Sequence, residues 1–251
     1  MRYCWWMLTL ILLTFSVFIE AKDGEKLYRE ALDALQGKDY ATALNRFEAA
    51  LRAVPDSLRY GSEYRMAVIE SGQYDRCLAF FEQLVESHPD AAHAHLNLGF
   101  AHVDKIPLAG SITQVLLANT ALKHFTRSIE VKPTWIGLYT RGNSYLFWPK
   151  IFNRAPLGVA DLEKALQLQK PLPRRHHHQR TYVALGDGYY KMDDLEKARR
   201  IWQQGASLFP GSQALKERLG KKGEELQQLV GQGYDPNVRV DSNLKDLWSE
   251  K

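Results

Sequence analysis

The residues of this chain that could do chemistry are eight histidines and a scatter of carboxylates. His176, His177 and His178 are consecutive, inside the basic stretch Lys170-Pro171-Leu172-Pro173-Arg174-Arg175-His176-His177-His178-Gln179-Arg180. Imidazoles ligate metals, but successive helical residues point about 100° apart. Three in a row therefore cannot share one ion without a loop geometry or outside ligands. A solvated helix start is the default for them. His93, His95 and His102 raise the same question, and packing is the expected role for His95 and His102. Catalytic motifs are missing from the sequence: there is no GxxxxGKS/T, HExxH, GxSxG or CxxC. Asp193-Asp194 reads as a turn, and Gly186-Asp187-Gly188 does not have the context of a phosphate loop. Of the two cysteines, Cys4 lies in an N-terminal apolar run, which leaves Cys77 with no partner for an internal disulfide. The expectation is a protein that is not an enzyme, with no cofactor and no metal. A His-dependent metal-binding protein is the remote alternative.

A fixed period runs through the elements that would position these residues. Pro55 and Pro89 are 34 residues apart, and each closes a similar passage. One is Tyr40-Ala41-Thr42-Ala43-Leu44, then Phe47, Ala50 and Pro55. The other is Tyr74-Asp75-Arg76-Cys77-Leu78, then Phe81, Leu84 and Pro89. A third copy reads Leu195-Glu196-Lys197-Ala198-Arg199, then Trp202, Gly205 and Pro210, with Tyr182, Leu185, Gly186 and Tyr189 ahead of it. Two more copies carry insertions: Leu98-Gly99, then Ala121, Phe125 and Pro133; and Gly142 with Tyr145, then Leu162, Ala165 and Pro171. Ala31, Gly99, Gly142 and Gly186 let a second helix come close, and Ala43, Cys77, Ala121 and Ala198 answer from that helix. Phe47, Phe81, Phe125 and Trp202 fill the space between neighbouring pairs. The prolines stop the second helix, because proline lacks the amide and clashes inside a helix. Lys38-Asp39, Ser71-Gly72 and Met192-Asp193-Asp194 are polar turns between paired helices.

This pattern resembles the tetratricopeptide repeat (TPR) family, with Tyr182 where the family often has Trp. The resemblance covers residues 24–210 and implies an all-α fold, a right-handed α-solenoid of about five helical hairpins. A single hairpin cannot bury its apolar face, so the copies must stack. Residues 211–231, with Leu215, Leu219, Leu226 and Leu229 apolar, are expected to form one capping helix, and 232–251 a tail. The resemblance also implies a concave face lined by the first helix of each pair. Carried over residue by residue, the groove candidates are Tyr28, Leu32, Arg59, Met66, His93, Phe100, Tyr139, Asn143, Arg180, Asp187 and Tyr190. That mixture suits an extended peptide or a helix laid in a groove. Some members clamp a partner's C-terminal carboxylate with Lys and Asn. Asn143 could serve, but Tyr139 stands where the clamp has Lys.

Irregular parts of a solenoid are where binding is sought. The third copy has ten extra residues, since Pro89 to Pro133 is 44 rather than 34. Ser111-Ile112-Thr113-Gln114 looks like a capping box opening one long helix from about Ile112 to Val131. The fourth copy carries an aromatic loop, Tyr145 to Arg154, with Phe147, Trp148 and Phe152. Either these rings bind a partner or they fold back to plug the enlarged hairpin. In the tail, Leu244, Leu247 and Trp248 sit at i, i+3, i+4 behind Ser242-Asn243, as in a short amphipathic turn. They dock on the protein's own surface or on another molecule, and their apolar character favours the former.

Arg2 precedes an uncharged run of seventeen residues, Tyr3 to Ile19. At 1.5 Å per residue it spans roughly 25 Å, slightly short of a ~30 Å hydrocarbon core. Residues 1–21 read as a signal peptide cut after Ala21 or as an uncleaved anchor that touches membrane through residues 3–19. The net charge of +4 is too small to imply nucleic acid. The functional expectation is a protein–protein interaction scaffold, exported (periplasmic or secreted) or membrane-anchored, that binds a peptide or helix in its groove. A membrane-anchored accessory subunit of an envelope complex is the alternative. The partner is a protein or peptide, and the sequence fixes no oligomeric state.

Overall fold

Helices begin and end in this chain where short polar side chains can satisfy free backbone groups. The computed structural model describes residues 22–235, 238 and 240–249, so the expected signal peptide or anchor at 1–21 lies outside the described residues. Every regular element among the described residues is helical. Asp39 caps α2 (Tyr40–Ala53) by accepting from the Thr42 amide at 3.1 Å, and Ser57 caps α3 (Leu58–Ser71) by accepting from Tyr60 at 3.2 Å. Thr134 and Asp194 do the same for α7 (Trp135–Tyr145) and α10 (Leu195–Leu208). Each such cap is worth about 1 kcal/mol. Three turns between paired helices share one geometry: Lys38, Gly72 and Asp193 all have left-handed backbone, with φ of 58°, 73° and 64°. This is the recurring turn that the sequence marks only by its polarity.

The described residues form two compact units. The first takes in residues up to Ala101, together with Ser242–Lys245. It holds a helix over residues 22–36, here α1, then α2, α3, α4 (Tyr74–Ser87) and most of α5 (Ala92–Lys105). Its core is a relay of buried rings. Tyr28 lies 6.0 Å from Phe47, Phe47 lies 6.4 Å from Tyr64, and Tyr64 lies 5.7 Å from Phe81. The Tyr64 hydroxyl donates to Glu48 at 2.7 Å, and Arg76 holds the same carboxylate at 2.7 Å. The polar tip of a buried phenol is thereby satisfied, as burial demands.

The second unit takes in residues from His102 to Asp241 and from Asp246 onward. It contains α6 (Ser111–Val131), α7, α8 (Ala155–Gln169), α9 (Gln179–Lys191), α10, α11 (Gln213–Gly220), α12 (Gly223–Gly233) and a terminal turn, α13 (Asp246–Ser249). Leu146, Leu162, Leu185, Trp202, Leu215 and Leu226 are its buried centre. Trp202 is fully buried against Gly186, where an added Cβ would stand 2.1 Å from the indole Nε1.

Two expected helices differ in detail. The capping helix over 211–231 is instead a pair, α11 and α12. The chain leaves helical geometry at Lys221–Lys222, and Gly223 takes φ of 51°, which breaks the hydrogen-bond ladder. The long helix of the third copy is present, but Ser111 is its first residue and not its cap. Gly110 is the cap residue and accepts from the Gln114 amide at 2.9 Å, so no capping box forms. The first turns of α6 leave Ile112, Val115 and Leu116 exposed.

His102 sits near the end of α5, buried and stacked flat on His124 with 5.5 Å between ring centroids. Neither of its ring nitrogens has a hydrogen-bond partner. Burial pushes its pKa down to about 4, and the charge of Lys105 acts in the same direction. The unfolded chain takes up this proton near pH 6.5, whereas the folded form resists it. The stability contribution is therefore complete above pH 6.5 and is lost as the pH falls towards 4. Between pH 7 and pH 4.5 the loss from this group is about 2–3 kcal/mol. Urea midpoints measured at both pH values should show a smaller drop in His102→Asn than in the wild type. Equal drops would contradict it.

Candidate peptide-binding cleft

In the second unit, α7, α9, α11 and the end of α12 wall an open cleft of about 580 Å³. Three of these are the first helices of successive pairs, so the cleft faces away from the layer made by α8 and α10. Tyr139 and Asn143 come from α7, one turn apart. Arg180, Val183, Ala184 and Asp187 come from α9, Ala214 and Arg218 from α11, and Tyr234 from just beyond α12.

The floor is a buried ion pair. Arg218 Nε donates to Asp187 Oδ1 at 2.5 Å, and Arg218 Nη2 to Oδ2 at 2.6 Å. The Tyr234 hydroxyl adds a bond to Asp187 at 3.2 Å and reaches Asn143 Oδ1 at 3.4 Å. Burial pushes the Asp187 carboxyl above its ordinary range, and Arg218 opposes that push. The carboxylate in turn holds Arg218 above its usual value despite burial. Burial also pushes the Tyr234 phenol well above 10. These groups lock one another and orient α7, α9 and α11.

The wall of the cleft is aromatic and cationic. Tyr139 stacks on Trp135, centroids 5.5 Å apart and planes 13° from parallel. Trp135 is held by its indole N–H, which donates to Gln169 and to Thr181, both at 2.9 Å. Burial pushes Tyr139 up to about 12, so it stays a neutral donor at any physiological pH. Arg180 pairs with Asp246 at 2.9 Å. A stacked phenol and an amide facing one cleft can bracket a peptide's main chain, and an acidic side chain that takes the place of Asp246 would meet the Arg180 guanidinium.

Tyr139, Asn143, Arg180 and Asp187 are thus brought together, while the other groove candidates go elsewhere. Tyr190 lines a separate hollow with Arg199, Lys222 and Leu226. Tyr28 does not face a groove: it is buried and stacked 4.4 Å from Tyr60, with exposed Arg59 lying over its ring. Leu32 packs against the first unit's core, Met66 is half-buried, and Phe100 is buried beneath Arg65. His93 ties its ring to the Asp56 carbonyl at 2.9 Å. The histidine triplet is not a solvated helix start. His177 and His178 are buried beside Trp135, at 5.2 and 5.3 Å, because that indole offers an aromatic wall between α7 and α9. Among the described residues no cluster of three or more His, Cys, Asp or Glu is placed to hold a metal.

The aromatic loop divides. Phe147 packs edge-on to Tyr234 at 5.1 Å, and Trp148 is half-buried under the Arg154 guanidinium. Phe152 and its neighbour Ile151 remain exposed, at 56% and 88%. In the tail, α13 begins only at Asp246, so Leu244 lies outside the expected amphipathic turn, and Leu247 and Trp248 are half-buried. Sequence reasoning missed Arg218 and Tyr234, which close the cleft, and Ser62, Arg65 and Asn97 in the first unit.

Residues 34–99 match the tetratricopeptide repeat family. A curated relative, the Photosystem I assembly protein Ycf3 of Synechococcus sp. (strain WH7803), is 29% identical over 96 residues. That match takes in 37% of this chain and 56% of the relative, so the chain spans about half the length of the curated protein it matches. Among solved structures, TTC0263, a TPR protein of Thermus thermophilus, superposes with a TM-score of 0.55 at 19% identity, covering 81% of this chain and 99% of its own. A tetratricopeptide repeat protein from Parabacteroides merdae ATCC 43184 gives 0.52 at 16%, covering 85% and 75%. MamA from Desulfovibrio magneticus RS-1 gives 0.51 at 18%, covering 76% and 98%. The fold is an all-α TPR-like solenoid, and TPR folds serve protein–protein interaction.

Proposed function

We propose that this tetratricopeptide-type chain is a non-enzymatic scaffold that holds an extended peptide or a helix of a protein partner in the cleft of its second unit. The observation that carries the reading is the convergence of Tyr139, Asn143 and Arg180 on one cleft whose floor is locked by Asp187 and Arg218. Preformed donors on rigid helices keep the ordering cost of binding low. A relative named for assembling a photosystem supports a role in bringing protein components together. We place the scaffold outside the cytoplasm or at the membrane, on the strength of the apolar run Tyr3 to Ile19. An uncleaved run would make it an anchored accessory subunit, and N-terminal sequencing decides, because a mature start at Lys22 removes the anchor.

Crosslinking mass spectrometry on intact cells tests the cleft. Partner peptides should crosslink beside Tyr139 and Arg180. Tyr139→Ala with Arg180→Ala should reduce those crosslinks at least about tenfold, the loss expected for two contacts near the centre of an interface. Tyr139 stacks on Trp135, so circular dichroism must first show that the double variant keeps its helical fold. Crosslinks that persist unchanged in the folded double variant would remove the cleft from the reading.

A further inference from the structure

Arg65 occupies a position the repeat reserves for a small residue: it stands 34 residues after Ala31. It is nevertheless fully buried in the first unit. Its Nε donates to Asn97 Oδ1 at 3.2 Å, and its guanidinium lies 4.6 Å from the centre of the Phe100 ring. Asn97 is itself fixed by donating to the His93 carbonyl at 3.0 Å. Gly61 permits this arrangement, since a Cβ there would lie 2.2 Å from Asn97 Nδ2. A guanidinium fixed by an amide oxygen and an aromatic face is preorganised as a hydrogen-bond donor.

What it meets is the chain's own tail. Arg65 Nη2 donates to the Ser242 carbonyl at 3.0 Å. The Leu244 amide, two residues on, donates to Ser62 Oγ at 3.4 Å. Residues 241–244 have no regular secondary structure, and Ser242 and Leu244 are both buried at 3% exposure. The segment is read through a main-chain carbonyl and a main-chain amide that bracket one residue, and the Leu side chain is buried. Main-chain bonds supply affinity and a side-chain pocket supplies specificity in peptide recognition of this kind.

We infer that Ser62, Arg65, Asn97 and Phe100 form a second peptide seat, in the first unit, and that residues 242–244 are its built-in occupant. The seat takes an extended segment with a small polar residue followed two positions later by leucine. A partner carrying that pattern displaces the tail. The inference does not rest on the cleft of the second unit.

The probe is a fluorescein-labelled peptide of residues 240–249, read by anisotropy. In the full chain the tethered tail competes at an effective concentration on the order of millimolar. Full-length Leu244→Asp, whose tail is unseated, should therefore bind the probe at least about tenfold more tightly than the wild type. A peptide carrying Asp in place of Leu244 should not compete. Equal binding by the two proteins, or none by Leu244→Asp, overturns the inference. If that variant does not fold, hydrogen exchange on the wild type decides. The Leu244 amide should exchange at least about tenfold more slowly than in the free peptide, and saturating peptide should restore the free rate. Free-rate exchange from the start, or protection that excess peptide leaves unchanged, overturns it. Either result leaves the crosslinking test of the cleft untouched.

Discussion

Arg218→Met is expected to cost about 3–5 kcal/mol of unfolding free energy at pH 7. The magnitude follows from what is left behind. Asp187 is wholly buried, and Arg218 supplies two of its hydrogen bonds and its counter-charge. Without Arg218 the carboxylate keeps the Tyr234 hydroxyl and the Trp202 indole N–H but no counter-charge among the groups that hold it. Burial then pushes its pKa further above the ordinary carboxylate value. A carboxyl whose folded pKa is raised opposes folding once the unfolded chain is ionised, so its penalty grows as pH rises from about 4 through the folded value. Chemical denaturation of Arg218→Met should therefore show a deficit that is large at pH 7 and shrinks towards pH 4. Adding Asp187→Asn should recover a large part of the loss at pH 7, because no charge is then stranded. A pH-independent deficit, or no recovery in the double variant, would mean that Arg218 acts through packing alone.

That pair also marks where the sequence stopped being legible. Asp187 reads as a groove residue from its place in the first helix of a repeat, and the structure does put it at the base of the cleft. Its partner does not follow from pattern. Arg218 shares a charged segment with Lys216, Lys221 and Lys222, and the local pattern does not mark which of these cations the packing of α11 turns inward. Tyr234 sits beyond Gly231 and Gly233, where a tail was expected, yet its hydroxyl joins the same network. Arg65 did carry a signal: a charged residue 34 positions after Ala31, where the other copies have glycine, breaks the small-residue rule. The helices, by contrast, were readable because caps, turns and prolines act over a few residues. Side-chain partners from segments distant in sequence are set by packing, which no local period encodes.

Trp202→Ala is the second large effect, an expected loss of about 3–5 kcal/mol. The indole is fully buried, its ring lies 6.3 Å from Tyr190, and its Nε1 reaches the Val183 carbonyl only at a long 3.4 Å. Most of the loss is packing, with a smaller part from the indole's hydrogen bond to Asp187, and Gly186 opposite has no side chain to move into the void. The equivalent positions of the first repeat hold a different combination of volumes, Ala31 and Phe47, both fully buried. This comparison predicts a sign change. In the wild type, Gly186→Ala should cost about 2–3 kcal/mol, because its Cβ would meet the indole at 2.1 Å. In a Trp202→Phe background the same alanine should cost little or stabilise, since a smaller ring leaves room for it. A double-mutant cycle by urea denaturation measures the difference, with a coupling of about 2–3 kcal/mol expected between the two sites. Additive losses would show that the solenoid does not trade volume between these positions, and that Gly186 is needed for some reason other than the size of Trp202.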